Sequence, residues 1–167
     1  MGLVLTQSRS VYVDSNIFIA AFENHEVKSR QLLDQENDSR IQLVTSHLTL
    51  AELLVIPYRN KNRLLQELYD EYFRSSRVEV SVIDGDIIRT AAFLRSQNRW
   101  LALPDAFHLA TAVMNHCSIF LSYDMQLTKF HLPDQLPAQP PEFNRDLLVS
   151  SPKYIDIEML FDKGDSK

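Results

Sequence analysis

The sequence predicts a three-layer α/β/α sandwich around a mainly parallel, five-stranded sheet. Three observations lead there. Short β-rich runs end at residues that favour a turn or a helix start, as Val11-Tyr12-Val13 ends at Asp14-Ser15-Asn16. Apolar residues at helical spacing follow these runs, and strands that alternate with helices require crossovers covering both faces of a parallel sheet. A chain of 167 residues, 45% hydrophobic and 23% charged, makes one ordinary globular domain.

The elements follow in order. After the strand at 11–13, Ile17, Phe18, Ala20 and Ala21 begin a short helix. A second helix runs from about Glu26 to Gln35 with Val27, Leu32 and Leu33, and Asn37-Asp38-Ser39 is a loop. Ile41 to Thr45 is the next strand, and Ser46 opens a helix through about Val55. Arg59 to Arg74 is an amphipathic helix with Leu64, Leu65, Leu68, Tyr69 and Tyr72 on one face. Val78, Val80 and Val82 alternate with Glu79 and Ser81, the pattern of a half-buried strand. Asp84 caps a helix to about Gln97 that turns Ile87, Ile88, Ala91, Ala92 and Leu94 inward.

Leu101 to Val113 reads as a buried helix, because Leu103, Phe107, Ala110 and Val113 form one apolar face and Ala106, Leu109 and Ala112 an adjoining one. Pro104 suits the first turn, which puts Asp105 at the electropositive end of an otherwise apolar element. Ile119-Phe120-Leu121 is a strand ending at Ser122-Tyr123-Asp124. Pro133, Pro137, Pro140 and Pro141 make Leu132 to Phe143 extended and irregular. Leu147 to Val149 is a last edge strand, and Ser151-Pro152 starts a short helix through about Phe161. The organisation is an N-terminal extension over 1–10, a single domain over 11–162 with a proline-rich segment at 132–146, and a frayed tail at 163–167.

Composition narrows the function. A net charge of -5 argues against a broadly basic surface for long nucleic acids. Cys117 is the one cysteine, which excludes an internal disulfide and fits a reducing cytoplasm. No apolar run approaches the ~20 residues that span a bilayer, and the N-terminus lacks the pattern of a secretory leader. With three glycines in the chain there is no phosphate-cradling loop, which weakens kinase, NTPase and dinucleotide readings. Gly-x-Ser-x-Gly is absent, and with it the usual acyl-transfer site.

The chemistry concentrates in four acids. Sites in open parallel sheets form at the carboxyl ends of strands. Asp14 follows the first strand, Asp124 follows the strand at 119–121, Glu52 is early in the helix after the second strand, and Asp105 is in the first turn of its helix. Four carboxylates at one rim repel one another and need a counter-cation. Oxygen ligands select Mg²⁺ or Mn²⁺ over Zn²⁺, one ion or two, and such clusters serve phosphodiester hydrolysis. Each acid also has a capping explanation: Asp14 for the helix at Ile17, Glu52 in a box with Thr49 unless Ser46 is the cap, Asp105 as a dipole complement or cap of its own helix, Asp124 for a helix at Met125. Four unrelated caps at one rim is the weaker account. Asp14→Asn and Asp105→Asn are therefore expected to keep or raise metal-free stability. Asn16 and Ser122 are candidate supporting groups. His108 is expected to be a satisfied, semi-buried histidine and not a ligand. His25, His47, His116 and His131 have no metal spacing. Arg59, Lys61, Arg63, Arg74 and Arg77 either guide a phosphate backbone or form a solvated face.

Taken together, Val11-Tyr12-Val13-Asp14-Ser15-Asn16-Ile17-Phe18-Ile19, Ser46-His47-Leu48-Thr49-Leu50-Ala51-Glu52-Leu53, Leu103-Pro104-Asp105-Ala106-Phe107-His108-Leu109-Ala110-Thr111-Ala112 and Leu121-Ser122-Tyr123-Asp124 resemble, in order and spacing over residues 11 to 130, the PIN-domain endoribonucleases, particularly VapC-type toxins of toxin–antitoxin pairs. The resemblance implies a PIN-like fold and a cytoplasmic ribonuclease. It also implies a homodimer, and a cognate antitoxin whose tail lies across the active site. It makes Asp14, Glu52, Asp105 and Asp124 the Mg²⁺ or Mn²⁺ ligands, with Asn16 and Ser122 in support. After Asp124 the chain departs from the family pattern, with Met125 and Gln126 where a further acid would stand. Two other readings remain: an inactive PIN-like module that binds protein or RNA, and a phosphatase with Asp14 as nucleophile, for which Asn16 replaces the usual second acid.

Overall fold

A computed structural model of the chain describes residues 9–34, 41–138, 146–156 and 160. Five strands form one sheet: β1 (Arg9–Val13), β2 (Ile41–Ser46), β3 (Glu79–Ser81), β4 (Ile119–Leu121) and β5 (Leu148–Ser150). Their order is β3-β2-β1-β4-β5 and every neighbouring pair is parallel. Six helices complete the described layers: α1 (Ser15–Phe22), α2 (Val27–Leu33), α3 (His47–Arg59), α4 (Arg63–Arg74), α5 (Gly85–Gln97) and α6 (Leu103–Met114). A 3-10 turn over Leu127–Lys129 stands where a helix at Met125 was one option.

Period-two alternation in the strands sorts the core into two halves. Val11, Val13, Leu43, Ile119 and Leu121 face one side, where α1 to α4 deliver Ile17, Phe18, Leu32, Leu53, Tyr69 and Phe73. Tyr12, Val44, Phe120 and Val149 face the other, where α5 and α6 deliver Ile87, Leu94, Ala106, Leu109 and Val113. Cys117 is buried in this second half, and desolvation pushes its thiol far above the ordinary range.

The five predicted strands are all present, with β1 starting at Arg9. The helix expected to stop at Val55 continues to Arg59 with Pro57 inside it. A proline so near the end removes one bond in the last turn, and the helix closes at once: the Asn60 and Asn62 N–H groups donate to Ile56 and Pro57 carbonyls around Lys61, at φ 54°. The following helix therefore begins at Arg63, with the Asn62 side chain accepting from Leu65 N–H, and not at Arg59. The Asp105 helix starts at Leu103, which is about half exposed and not part of the apolar face assigned to it. Phe107 is half-buried. The predicted helix from Ser151 opens as a turn over residues 152–154. Most of its remainder, like the Asn37-Asp38-Ser39 loop, the extension over 1–8, much of the proline-rich segment and the tail, lies outside the described residues.

Because Leu109 is fully buried in α6, Leu109→Ala is expected to cost about 3 kcal/mol, with a lower denaturation midpoint at unchanged slope. Leu64→Ala, at an 81% exposed position on α4, is expected to shift stability by less than about 0.5 kcal/mol in the same titration.

Candidate functional site

The direction of winding reverses at β1, which has β2 on one side and β4 on the other. Crevices form at such switch points, outside the carboxyl ends of the strands. Asp14 leaves the end of β1 there, its N–H donating to the Leu121 carbonyl at the end of β4. Its side chain is the N-cap of α1, accepting from Ser15 N–H at 2.7 Å. It also accepts from Asn16 Nδ2 at 2.9 Å and from Ser122 Oγ at 2.7 Å. Capping and site membership thus coincide in one residue, which is 4% exposed.

Asn16 and Ser122 knit the rim together. Asn16 Nδ2 also donates to Ser122 Oγ at 2.8 Å, Asn16 Oδ1 accepts from Tyr123 N–H at 3.0 Å, and Ser122 Oγ accepts from Asp124 N–H at 3.0 Å. The Asp124 carboxylate closes a local turn by accepting from Gln126 N–H at 2.8 Å. It does not cap a helix: the 3-10 turn at Leu127–Lys129 has Gln126 at its N-terminus and no side-chain cap.

Glu52 is not part of a capping box. Ser46 caps α3, accepting from Thr49 N–H at 3.4 Å, so Glu52 lies a turn further in. There its Oε2 accepts from His108 Nε2–H at 2.9 Å. The same nitrogen is 3.8 Å from Asp14 Oδ1, and the ligand atoms of Asp14, Glu52 and His108 all lie within 4.8 Å of one another. His108, expected half-buried at the margin of α6, is 1% exposed and sits in the middle of the acids. Satisfied it is: its Nδ1 shares a 2.8 Å hydrogen bond with the Tyr12 hydroxyl. The sequence signal that could have placed it is its spacing, three residues after Asp105, which brings it one turn below that acid on the rim-facing side of α6.

The electrostatics show how crowded the rim is. Burial raises Asp105, the charges of Asp14, Asp124 and Glu52 raise it further, and His108 opposes them. All four acids therefore act on one neighbourhood, although Asp105 and Asp124 stand outside the tight group. Among the described residues no hydrogen bond reaches the Asp105 carboxylate. Burial would lower His108, but the Glu52 hydrogen bond and the charges of Asp14, Glu52 and Asp105 raise it. Burial would raise Glu52, but His108 and the Ser15 hydroxyl bring it below the ordinary carboxylate range. His108 is thus the one group among these that offsets the acids' mutual repulsion.

Tyr123 gave no sign of its role in the sequence. Its hydroxyl donates to Glu26 Oε2 at 2.7 Å and lies 2.8 Å from Ser29 Oγ, tying α2 to the rim. Glu26 caps α2. Burial alone would raise Glu26, but the Ser29 N–H and hydroxyl, the Tyr123 hydroxyl and the Lys28 N–H together outweigh it and hold Glu26 down at about 2. A cavity of about 550 Å³ beside α1 and α2, lined by Ala21, His25, Val27, Arg30, Gln31 and Asp34, contains none of the four acids. The arginines divide: Arg77 approaches Asp34 at 4.0 Å and Arg74 donates to the Asp70 carbonyl, whereas Arg59, Lys61 and Arg63 are exposed around the α3–α4 turn. No helix among the described residues is long and apolar enough to cross a membrane.

A parallel sheet with its switch point at β1 and an acid-lined rim defines the class, and comparison with known proteins gives the family. The PIN domain model matches residues 11–131, and the chain belongs to that family. The fold is similar to a chain of VapBC2 from Rickettsia felis bound to a promoter DNA fragment (TM-score 0.64, 15% identity, covering 85% of this chain and 98% of that one). It is also similar to a toxin–antitoxin complex from Klebsiella pneumoniae (TM-score 0.54, 25% identity, 67% and 84% covered). A third likeness is to VapC20 from Mycobacterium tuberculosis, a sarcin-ricin loop cleaving toxin (TM-score 0.57, 16% identity, 76% and 99% covered). No curated protein matches significantly by sequence.

These contacts revise the mutational expectation for Asp14. Asp14→Asn turns an amide toward donors that the carboxylate now satisfies, and is expected to cost about 1–3 kcal/mol without metal. Asp105→Asn removes a repelled charge and is expected to keep or raise the metal-free melting temperature, so melts of the two variants in chelator should move apart. The raised His108 contributes stability that is complete below its ordinary 6.5 and is lost as pH rises through its higher folded value. Melting temperature in chelator should therefore fall with pH from 6.5 upward, and Glu52→Gln should flatten that slope.

Proposed function

We propose that this protein is a divalent-metal-dependent endoribonuclease, the toxin of a type II toxin–antitoxin pair, with Asp14, Glu52, Asp105 and Asp124 holding Mg²⁺ or Mn²⁺. The observation that carries the reading is the close approach of Asp14 and Glu52 at the switch point, with Asp105 raised by burial and by the charges of Asp14, Asp124 and Glu52. A donor set of four carboxylates with excess negative charge suits a hard dication. Bound there, the ion supplies Lewis-acid activation of water and neutralises charge on the phosphodiester.

The chain's residues do the rest. Asn16 and Ser122 hold Asp14 Oδ2 while the Ser15 N–H holds Oδ1, and Asp105, which no hydrogen bond among the described residues engages, is the carboxylate suited to take up the proton of the attacking water. Exposed Arg59, Lys61 and Arg63 offer phosphate contacts on a chain otherwise net acidic, and RNA would be read through its backbone and unpaired bases. With Met125 and Gln126 beyond Asp124, one ion is the simpler stoichiometry. A homodimer and silencing by an antitoxin are part of the proposal, the antitoxin supported by the toxin–antitoxin complexes among the similar structures.

Structured RNAs incubated with Mn²⁺ test the reading. Wild type is expected to cleave internally, and Glu52→Gln and Asp105→Asn to lose at least about 100-fold in rate. Cleavage absent from wild type freed of any partner would leave the binding-module reading in possession, and cleavage retained in both variants would overturn the role of these acids.

A further inference from the structure

We infer that His108 is a positioning residue for the ion site: its imidazole, fixed from behind by Tyr12, holds the Glu52 carboxylate against Asp14 and so sets how tightly the ion binds. The inference rests on the reading of the acid rim as a divalent-ion site.

Glu52 is the member of the group that needs an anchor. Its carboxylate is carried on a longer side chain than any of the aspartates and is 32% exposed, whereas Asp14 is fixed by Ser15, Asn16 and Ser122. His108 supplies that anchor through the 2.9 Å bond from Nε2–H to Oε2. The imidazole cannot turn away, because its other nitrogen is engaged by the Tyr12 hydroxyl at 2.8 Å. Tyr12 is itself fully buried and stacked on Phe120, with ring centroids 5.1 Å apart and planes 11° from parallel. Its hydroxyl donates to Ser46 Oγ at 3.2 Å, the cap of the helix that carries Glu52. One buried tyrosine therefore registers both helices, α6 through His108 and α3 through Ser46, against the strand that ends at Asp14.

Two simpler roles fit less well. A core filler between Phe107 and Leu109 would need no polar partners, yet both ring nitrogens have one. A direct ligand would need Nε2 free, yet that atom is committed to Glu52. Partners that orient a ligating carboxylate typically matter by 10- to 100-fold in metal affinity.

The test is titration of the full chain with Mn²⁺ by calorimetry, with thermal melts to verify folding. His108→Leu is expected to weaken Mn²⁺ binding by about 10- to 100-fold. His108→Gln, whose amide nitrogen reaches as far as Nε2, should recover most of the loss, and His108→Asn, which reaches only as far as Nδ1, should not. Tyr12→Phe removes the hydroxyl alone and should weaken binding in the same direction by less. If the leucine variant does not fold, the contrast between glutamine and asparagine decides. Equal affinities for those two, a glutamine variant as weak as leucine, or a leucine variant that binds as well as wild type would each overturn the inference. Wild type that binds Mn²⁺ without cutting RNA would remove the ribonuclease reading and leave this one standing. Wild type that binds no Mn²⁺ would overturn both.

Discussion

The rest of this structure is arranged around the donors that Asp14 needs at the junction of β1 and α1, nearly out of water. A buried carboxylate without hydrogen-bond partners is costly. Ser15, Asn16 and Ser122 each donate to it, and three of the chain's segments are thereby fixed relative to one another: the start of α1, the loop after β4, and β1 itself. Bringing Glu52, Asp105 and Asp124 near the same point compounds the cost. His108 relieves part of it, and the remaining charge is what a dication would neutralise.

Most of the architecture was legible because it depends on patterns the chain cannot hide. Alternation in Val11-Tyr12-Val13 and Ile119-Phe120-Leu121 sends neighbours to opposite faces, and both runs are strands with that arrangement. The rhythm of strand and helix predicted parallel pairing, which holds across all five strands. Where the reading erred, local rules met a tertiary exception. Pro57 favours a helix end, but within α3 it costs only the one bond its missing N–H would make, and the Asn60 and Asn62 N–H groups still close the helix on the Ile56 and Pro57 carbonyls. Leu103 has the spacing of a buried residue, but it opens α6 at the solvent-facing rim, where the first turn has nothing above it.

The site was half legible. Asp14 and Glu52, which the sequence singled out, do come close together, because acids after a strand and early in the following helix share a rim for topological reasons. His108 was underrated because helical periodicity says which face a residue is on, and not which groups from other segments meet it there. Its partners are 56 residues away at Glu52 and 96 residues away at Tyr12. Tyr123 was invisible for a related reason, since an aromatic residue after a strand is usually core, and only the fold brings Glu26 and Ser29 to its hydroxyl.

The chain's single thiol is also conditioned by this packing. Cys117 lies where α6 hands over to β4, its N–H donating to the Ala112 carbonyl and its sulfur shut away beneath the helix. Alkylating and oxidising reagents act on the thiolate, and burial both disfavours that ionised form and shields the sulfur while the junction is closed. The rate at which Cys117 becomes labelled therefore measures how often the helix lifts from the strand whose end forms the rim. The molecule thus carries its own gauge of local opening, one that needs no added probe and no knowledge of its substrate.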